Sequence, residues 1–297
     1  MKRSNEKHTK RRSHWQGVGD ALDPNPPKIP EIRLQGDKYG TVLFVAHVDA
    51  DKKYTSWFDL QKYLGIAKKL DWKIVTDSLL RAKNKTREEV IEAANNLASA
   101  LSPVAGQIVA MNRGSDDTLL DRMAKGNWQE KFADQIGAKP KCIAPTDTRE
   151  LLLTFRIGGN AYNVDVVDSE STAFKREWLL VDRSYTNYNV PLIISSNEAH
   201  LMDMEQLTRK VIIRRGAQYL ETEGRTIGLL AGSFCKYSGE AQSKQKPIGV
   251  IGAWGCRFMR RDFNIEPIFP RKHYPDLFEQ SALEPQSVKV KVFEKEE

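Results

Sequence analysis

The chain has 297 residues, 40% of them hydrophobic and 29% charged, and a net charge of +7. That is globular composition, and no stretch approaches the roughly 18 apolar residues of a membrane-spanning helix, so no membrane partner is expected. The basic start lacks the apolar stretch and cleavage site of a secretory signal, and Cys142, Cys235 and Cys256 form no C-x-x-C pair; reduced thiols and a cytoplasmic location are the expectation.

The charge is concentrated at one end. Residues 1–16 hold Lys2, Arg3, Lys7, Lys10, Arg11 and Arg12 against Glu6, a net +5, which leaves +2 for the remainder. An arm of this composition cannot bury enough surface to fold alone, so it reads as a disordered segment that meets a polyanion. Pro24, Pro26, Pro27 and Pro30 then make an extended linker. The expected organisation is an arm and linker over 1–37 and one α/β body over 38–297, with a sub-boundary near 138–148.

GTVLFVAHV (40–48) is a short β-branched-rich apolar run and predicts a buried strand. Trp57, Leu60, Leu64 and Ala67 recur at helical spacing and predict a helix over 55–70, capped by Thr55 or Ser56. WKIVT (72–76) is the next strand. Thr86 and Glu89 stand in capping-box register and start a helix that runs to Leu101, where Ser102-Pro103 stops it. GQIVAM (106–111) follows as a strand, and 118–136 as a helix broken near Gly126. Strands alternating with helices predict parallel pairing in this half.

The pattern changes after Pro140 and Pro145. LLLTFRI (151–157) and AYNVDVV (161–167) flank Gly158-Gly159-Asn160, a hairpin signal. EWLLVD (177–182) and VPLIIS (190–195) read as strands, with Pro191 at an edge or a strand start. A long helix is predicted from Ser196 or Asn197 to about Leu220, and SVKVKVF (287–293) alternates valine and lysine like a protected edge strand. The fold class expected is therefore α/β with a mixed sheet, helix-rich in its N-terminal half and strand-rich in its C-terminal half.

Asp49 and Asp51 end the strand 40–48 two residues apart, where both reach one loop and are positioned to share a divalent metal such as Mg beside a phosphate. Asp165, Asp168 and Asp182, at other strand ends, are the candidate third acids. The segment 106–120 has the strand-loop-helix layout of a phosphate cradle, but Asp117 stands where a P-loop lysine belongs, so it reads as a connection whose acids favour the helix start. Arg257, Arg260, Arg261, Arg271 and Lys272 are interleaved with Trp254, Phe258, Phe263 and Tyr274, a mixture suited to phosphates and exposed bases.

One further stretch, VPLIISSNE (190–198) followed by Arg209, Lys210, Arg214 and Arg215, resembles the sensor strand and arginine-bearing helix of AAA+ or superfamily 3 helicase ATPases. The resemblance covers about thirty residues and implies a water-orienting role for Asn197 and an arginine reaching a neighbouring subunit. The Walker lysine is missing, and Asp168-Ser169-Glu170 is an imperfect acidic pair.

The leading expectation is a DNA- or RNA-binding protein acting in replication, packaging or assembly of a genome or mobile element. A metal-dependent nucleotidyl or phosphodiester enzyme, a divergent AAA+-like NTPase, and a self-assembling oligomeric structural protein are the rival expectations.

Overall fold

The computed structural model describes residues 29–50, 53–146, 148–169, 190–197, 202–215, 218–235 and 251–294. The basic arm, the strand predicted at 177–182, Asp51 and Asp182 lie outside them.

Two six-stranded mixed sheets form the body. The first is built from β2 (Tyr39–Ala46), β3 (Lys73–Asp77), β4 (Ile108–Met111), β5 (Cys142–Ile143), β11 (Trp254–Met259) and β12 (Ile265–Ile268), in the order β12-β11-β2-β3-β4-β5. Its strands β2 to β5 are parallel, and β11 joins β2 antiparallel. Connections between the parallel strands run through α1 (Trp57–Lys69), α2 (Arg87–Leu101), α3 (Asp117–Ala124) and α4 (Trp128–Gln135). Right-handed crossovers from consecutive strands place these helices on one face.

Strand periodicity explains the layering. On β2, Leu43 and Val45 join the helix-side core, while Val42, Phe44 and Ala46 join a second core. The second sheet supplies the other wall of that core through Leu151, Leu153, Phe155, Val164, Val166, Leu192 and Ile194. The order of layers is thus helices, first sheet, second sheet.

The second sheet runs β1-β6-β7-β8-β10-β9, with β1 (Glu31–Arg33), β6 (Glu150–Ile157), β7 (Asn160–Ser169), β8 (Leu192–Asn197), β9 (Met202–Arg215) and β10 (Gln218–Ala231). β1 lies within the stretch read as linker and pairs parallel with β6. The hairpin of β6 and β7 turns through Gly158, at φ +57°, a conformation costly for a residue with a Cβ. Pro191 precedes β8, a central strand parallel to both β7 and β10.

Several local expectations hold. Thr86 and Glu89 form the capping box reciprocally at the start of α2. α3 and α4 are separated at Gly126. Ser56 is the N-cap of α1 but makes no capping bond; its hydroxyl donates to Asp59 at 2.6 Å, and the Thr55 hydroxyl donates to the Val48 carbonyl. Gly106 and Gln107 belong to a 3-10 turn that continues α2, so β4 begins only at Ile108.

Two expectations are corrected. The predicted helix over 196–220 falls on the end of β8, all of β9 and the first three residues of β10, which pairs antiparallel with β9. Val211, Ile212, Ile213, Thr222 and Thr226 are β-branched, which favours strands, and β10 is paired on both sides, by β8 and by the edge strand β9, in place of the local bonds of a helix. The AAA+-like resemblance loses its arginine-bearing helix with this correction. The segment 287–293 is not a strand: the Val290 amide donates to the Asn95 side chain at 2.7 Å and the Lys291 amide to Gln135 at 2.6 Å. Val290, Val292 and Phe293 are buried in the helix-side core. The chain closes over the helices with α5 (Pro270–His273) and α6 (Pro275–Glu279).

That closing segment presses on α1 at Gly65. A Cβ added there would come within 1.5 Å of the Ser281 carbonyl oxygen. Because the obstacle is backbone, Gly65→Ala is expected to destabilise by about 3 kcal/mol, the upper range for overpacking. Urea unfolding measures this; a midpoint equal to wild type would show that residues 281–294 shift freely.

Candidate functional site

Parallel strands end their ladders at one edge, and ligands of open α/β sheets bind beyond those carboxyl ends. Here β2 ends into His47, β3 ends at Asp77, and β4 ends into Asn112. From the second sheet, β7 brings Asp168 and β8 brings Ser196 into register as partners. All five residues are buried. The Ser196 hydroxyl lies between two carboxylates, 2.5 Å from Asp77 Oδ2 and 3.3 Å from Asp168 Oδ1. Asn112 Nδ2 donates to Asp77 Oδ1 at 3.3 Å and to the Val166 carbonyl at 3.2 Å. His47 Nε2 stands 4.0 Å from Asp168 Oδ1.

Burial sets the electrostatics. Desolvation pushes Asp77 up to about 7, against the pull of hydrogen bonds from Ser196 and Asn112. Asp168 is pushed up to about 9, first by burial and then by the neighbouring Asp77. Two carboxylates this close in a dry site do not both ionise at neutral pH without a compensating cation. Asp168 Oδ2 and Asn112 Oδ1 have no hydrogen-bond partner among the described residues. Both are oxygen acceptors, the donor type that hard divalent cations prefer.

The backbone around the cluster is strained. His47, Asp49 and Ala50 after β2, and Ser78 after β3, all have positive φ between +44° and +55°. Each left-handed non-glycine residue costs on the order of 1 kcal/mol, and such strain gathers where a site over-determines the chain. The His47 amide donates to the Asp77 carbonyl at 3.2 Å, and the His47 carbonyl accepts from the Phe234 amide at 3.1 Å and from the Ser233 hydroxyl. Two segments therefore fix the backbone of His47.

A second layer holds Asn112. Gln129 Nε2 donates to the Asn112 carbonyl at 2.8 Å and to Asp117 Oδ2 at 3.2 Å. Asp117 also accepts the Gly114 amide and is pushed up to about 7 by burial. Arg113, 1% exposed, reaches inward to Asp121, which in turn accepts the Trp128 amide. Asp165, buried on β7, is held well above the carboxylate range by desolvation, with the charge of Glu150 adding to it.

The residues singled out from the sequence are placed differently. Asp49 accepts the Cys235 thiol at 3.1 Å and faces Arg81 at 3.9 Å. Desolvation, with Asp49 second, holds Cys235 well above its ordinary value. Asn197 is the last residue of β8, and its side chain lies outside the described residues. Asp168, one of the three candidate third acids, is in the cluster. Asp77 went unnoticed, although its signal is plain in retrospect: three consecutive strands each end in a polar residue, A-H, T-D and M-N. Among the described residues no group of three or more His, Cys, Asp or Glu is gathered as a metal-ligand set. Two carboxylates with neutral oxygen donors still match magnesium, which keeps several waters and uses one or two protein carboxylates.

The basic residues divide between two ends of β12. Arg257 pairs with Glu266 at 2.9 Å, contacts the Tyr274 hydroxyl and lies over the Tyr39 ring. Arg260 follows the strand, donating to the Gly36 carbonyl at 3.2 Å with Asp37 at 3.9 Å, so its alternation with Phe258 does not apply. Arg271 pairs with Asp59 at 2.7 Å. Arg261 and Lys272 are exposed. The loop 260–264 and α5 sit at opposite ends of β12, roughly 13 Å apart along four residues. A groove of about 400 Å³ lined by Trp57, Gln61, Asn96, Ser99 and residues 285–287 shares no residue with the acidic cluster.

No helix among the described residues is long and apolar enough to cross a membrane. No family model and no curated protein matches the chain. Among solved structures, GAP50, described as the anchor in the inner membrane complex of Plasmodium, is 13% identical at a TM-score of 0.45, covering 86% of this chain and 90% of that one. Vps29 of Entamoeba histolytica, complexed with zinc, is 10% identical at 0.33 over 77% and 98%. A conserved uncharacterized protein of Streptococcus pneumoniae, described as a predicted phosphoesterase, is 9% identical at 0.31 over 79% and 91%. At such scores the likeness carries no weight for function.

Proposed function

We propose that the chain is an enzyme of phosphate-ester chemistry whose reaction centre is the cluster of His47, Asp77, Asn112, Asp168 and Ser196. The observation that supports it is the pair of buried carboxylates sharing one hydroxyl where strands of both sheets end. Asp77, Asp168 and Asn112 Oδ1 would hold a divalent cation, which supplies Lewis acidity for a phosphoryl oxygen. Ser196 sets the spacing of the carboxylates. His47 Nε2 is the group able to pass a proton to a leaving oxygen.

Turnover of a chromogenic phosphodiester and the matching monoester, with Mg or Mn and then with chelator, tests this reading. Chelator-sensitive hydrolysis of one ester is expected, together with a rise in melting temperature as the cation is added. Neither ester cleaved and no shift with any divalent cation would dismiss the reading.

A second reading, nucleic-acid association, is favoured by the +5 carried on residues 1–16. Deletion of that arm is expected to flatten the salt dependence of binding. The two readings join if the ester is that of a polynucleotide.

A further inference from the structure

We propose that the loop joining β11 and β12 is a stacking platform for an unpaired base of single-stranded nucleic acid, with Phe263 as its face. The inference rests on the nucleic-acid reading and places it at a second site, away from the acidic cluster. β2 separates the two: Met259 pairs with Tyr39 at its start, whereas His47 follows its end, roughly 25 Å along eight residues.

Phe263 is 64% exposed, the largest exposure among the large hydrophobic residues described. It is nevertheless fixed. Its ring stacks on Tyr162 at 4.6 Å with planes 5° apart, and Tyr162 in turn meets Phe258 edge-on at 5.3 Å. Tyr162 is fully buried, so one face of Phe263 is covered and the other is open. The Tyr162 hydroxyl donates to the Met259 carbonyl at 2.6 Å, lies 2.9 Å from the Asp262 carbonyl and accepts the Asn264 amide at 3.2 Å. Asn160 Nδ2 binds the Met259 and Arg260 carbonyls, both at 3.2 Å. A loop bonded at so many backbone positions presents its ring at little entropic cost, the condition under which an aromatic surface binds well.

Charge points to the occupant. Arg261, two residues before Phe263 in the same loop, is exposed and makes no ion pair among the described residues, while Arg260 is shared with Asp37. Asp262 is the acid within the loop. The chain from Ile29 through β1 delivers Gly36 and Asp37 against Arg260, so residues 1–16, which carry the +5, are tethered to this loop through the twenty residues from 16 to 36, a reach of at most about 70 Å. A π-face, an unpaired guanidinium and a tethered polycation together match a polymer that alternates bases with phosphates.

Fluorescence anisotropy with labelled oligothymidylate and oligouridylate of about twenty nucleotides, at low salt, tests the platform on the full chain. Phe263→Ala is expected to weaken binding of both roughly tenfold or more, Phe263→Trp to restore it, and Arg261→Ala to lower the salt slope by about 0.7. Circular dichroism of Phe263→Ala should show an unchanged fold. If wild type binds neither strand, the nucleic-acid reading itself fails. If wild type binds and Phe263→Ala binds equally well, the platform alone is overturned and the charge of residues 1–16 accounts for the affinity.

Discussion

Asp168→Asn is expected to make the chelator-treated protein more stable at pH 8 while lowering phosphate-ester turnover a hundred- to a thousandfold. Asparagine copies the shape of a protonated aspartic acid, which is the form burial imposes on Asp168 up to about pH 9. An unfolded aspartate titrates near pH 4, so between these values the native state holds a proton that the unfolded state has released. Native stability from this group is therefore complete below about pH 4 and declines as pH rises toward 9, at about 1.4 kcal/mol per unit. The variant carries no such titration. A gain in melting temperature on the order of 10 °C at pH 8, vanishing at pH 4, is the expected result. Asp77, pushed up to about 7, adds a decline of the same sign over a narrower window. Parallel pH profiles for variant and wild type in thermal melts would mean that Asp168 is ionised in the native protein. Added Mg should stabilise wild type and not the variant, because a cation takes the place of the shared proton.

Arg113→Ala is expected to destabilise by about 3–5 kcal/mol, since it strands Asp121 and Asp117 without their buried counter-charge. The effect reaches the site. Gln129, held by Asp117, donates to the Asn112 carbonyl, and the Asn112 side chain in turn donates to Asp77. Loss of Arg113 thus loosens the turn that carries Asn112, and turnover should fall along with the melting temperature. Denaturant unfolding measures the first effect; a loss below about 1 kcal/mol would place Arg113 in solvent. Double-mutant analysis with Asp121→Ala should return a coupling energy of about 1–3 kcal/mol.

How far the sequence was legible depended on whether an element's cause was local. The capping box at Thr86 and Glu89 lies within four residues, and α2 begins where it says. The turn at Gly158 and the helix break at Gly126 are likewise written in single residues. Segments whose state is decided by pairing or packing, and not by a run of residues, differ from the sequence expectation. The pattern of 196–220 fits a helix or a strand, and pairing decides it: β9 zips to the strand directly after it, Gln218 opposite Arg215, while the lysine-valine alternation of 287–293 matches a strand although side chains of α2 and α4 take its amides.

The same division governs the site. The sequence by itself determined an α/β body and a charge gathered at the N-terminal end, because both are written in local runs of residues: alternating strand and helix periodicities, and six basic residues against one acid in the first sixteen. Asp49 and Asp51 drew notice because they are neighbours in sequence, yet Asp49 turns to Cys235 and Arg81. Asp77, Asn112, Asp168 and Ser196 span 119 positions between Asp77 and Ser196. Only the stacking of two sheets, with strands of both ending at one edge, brings them within hydrogen-bonding distance, and only the desolvation at that edge turns ordinary aspartates into a pair that must share a proton or accept a cation.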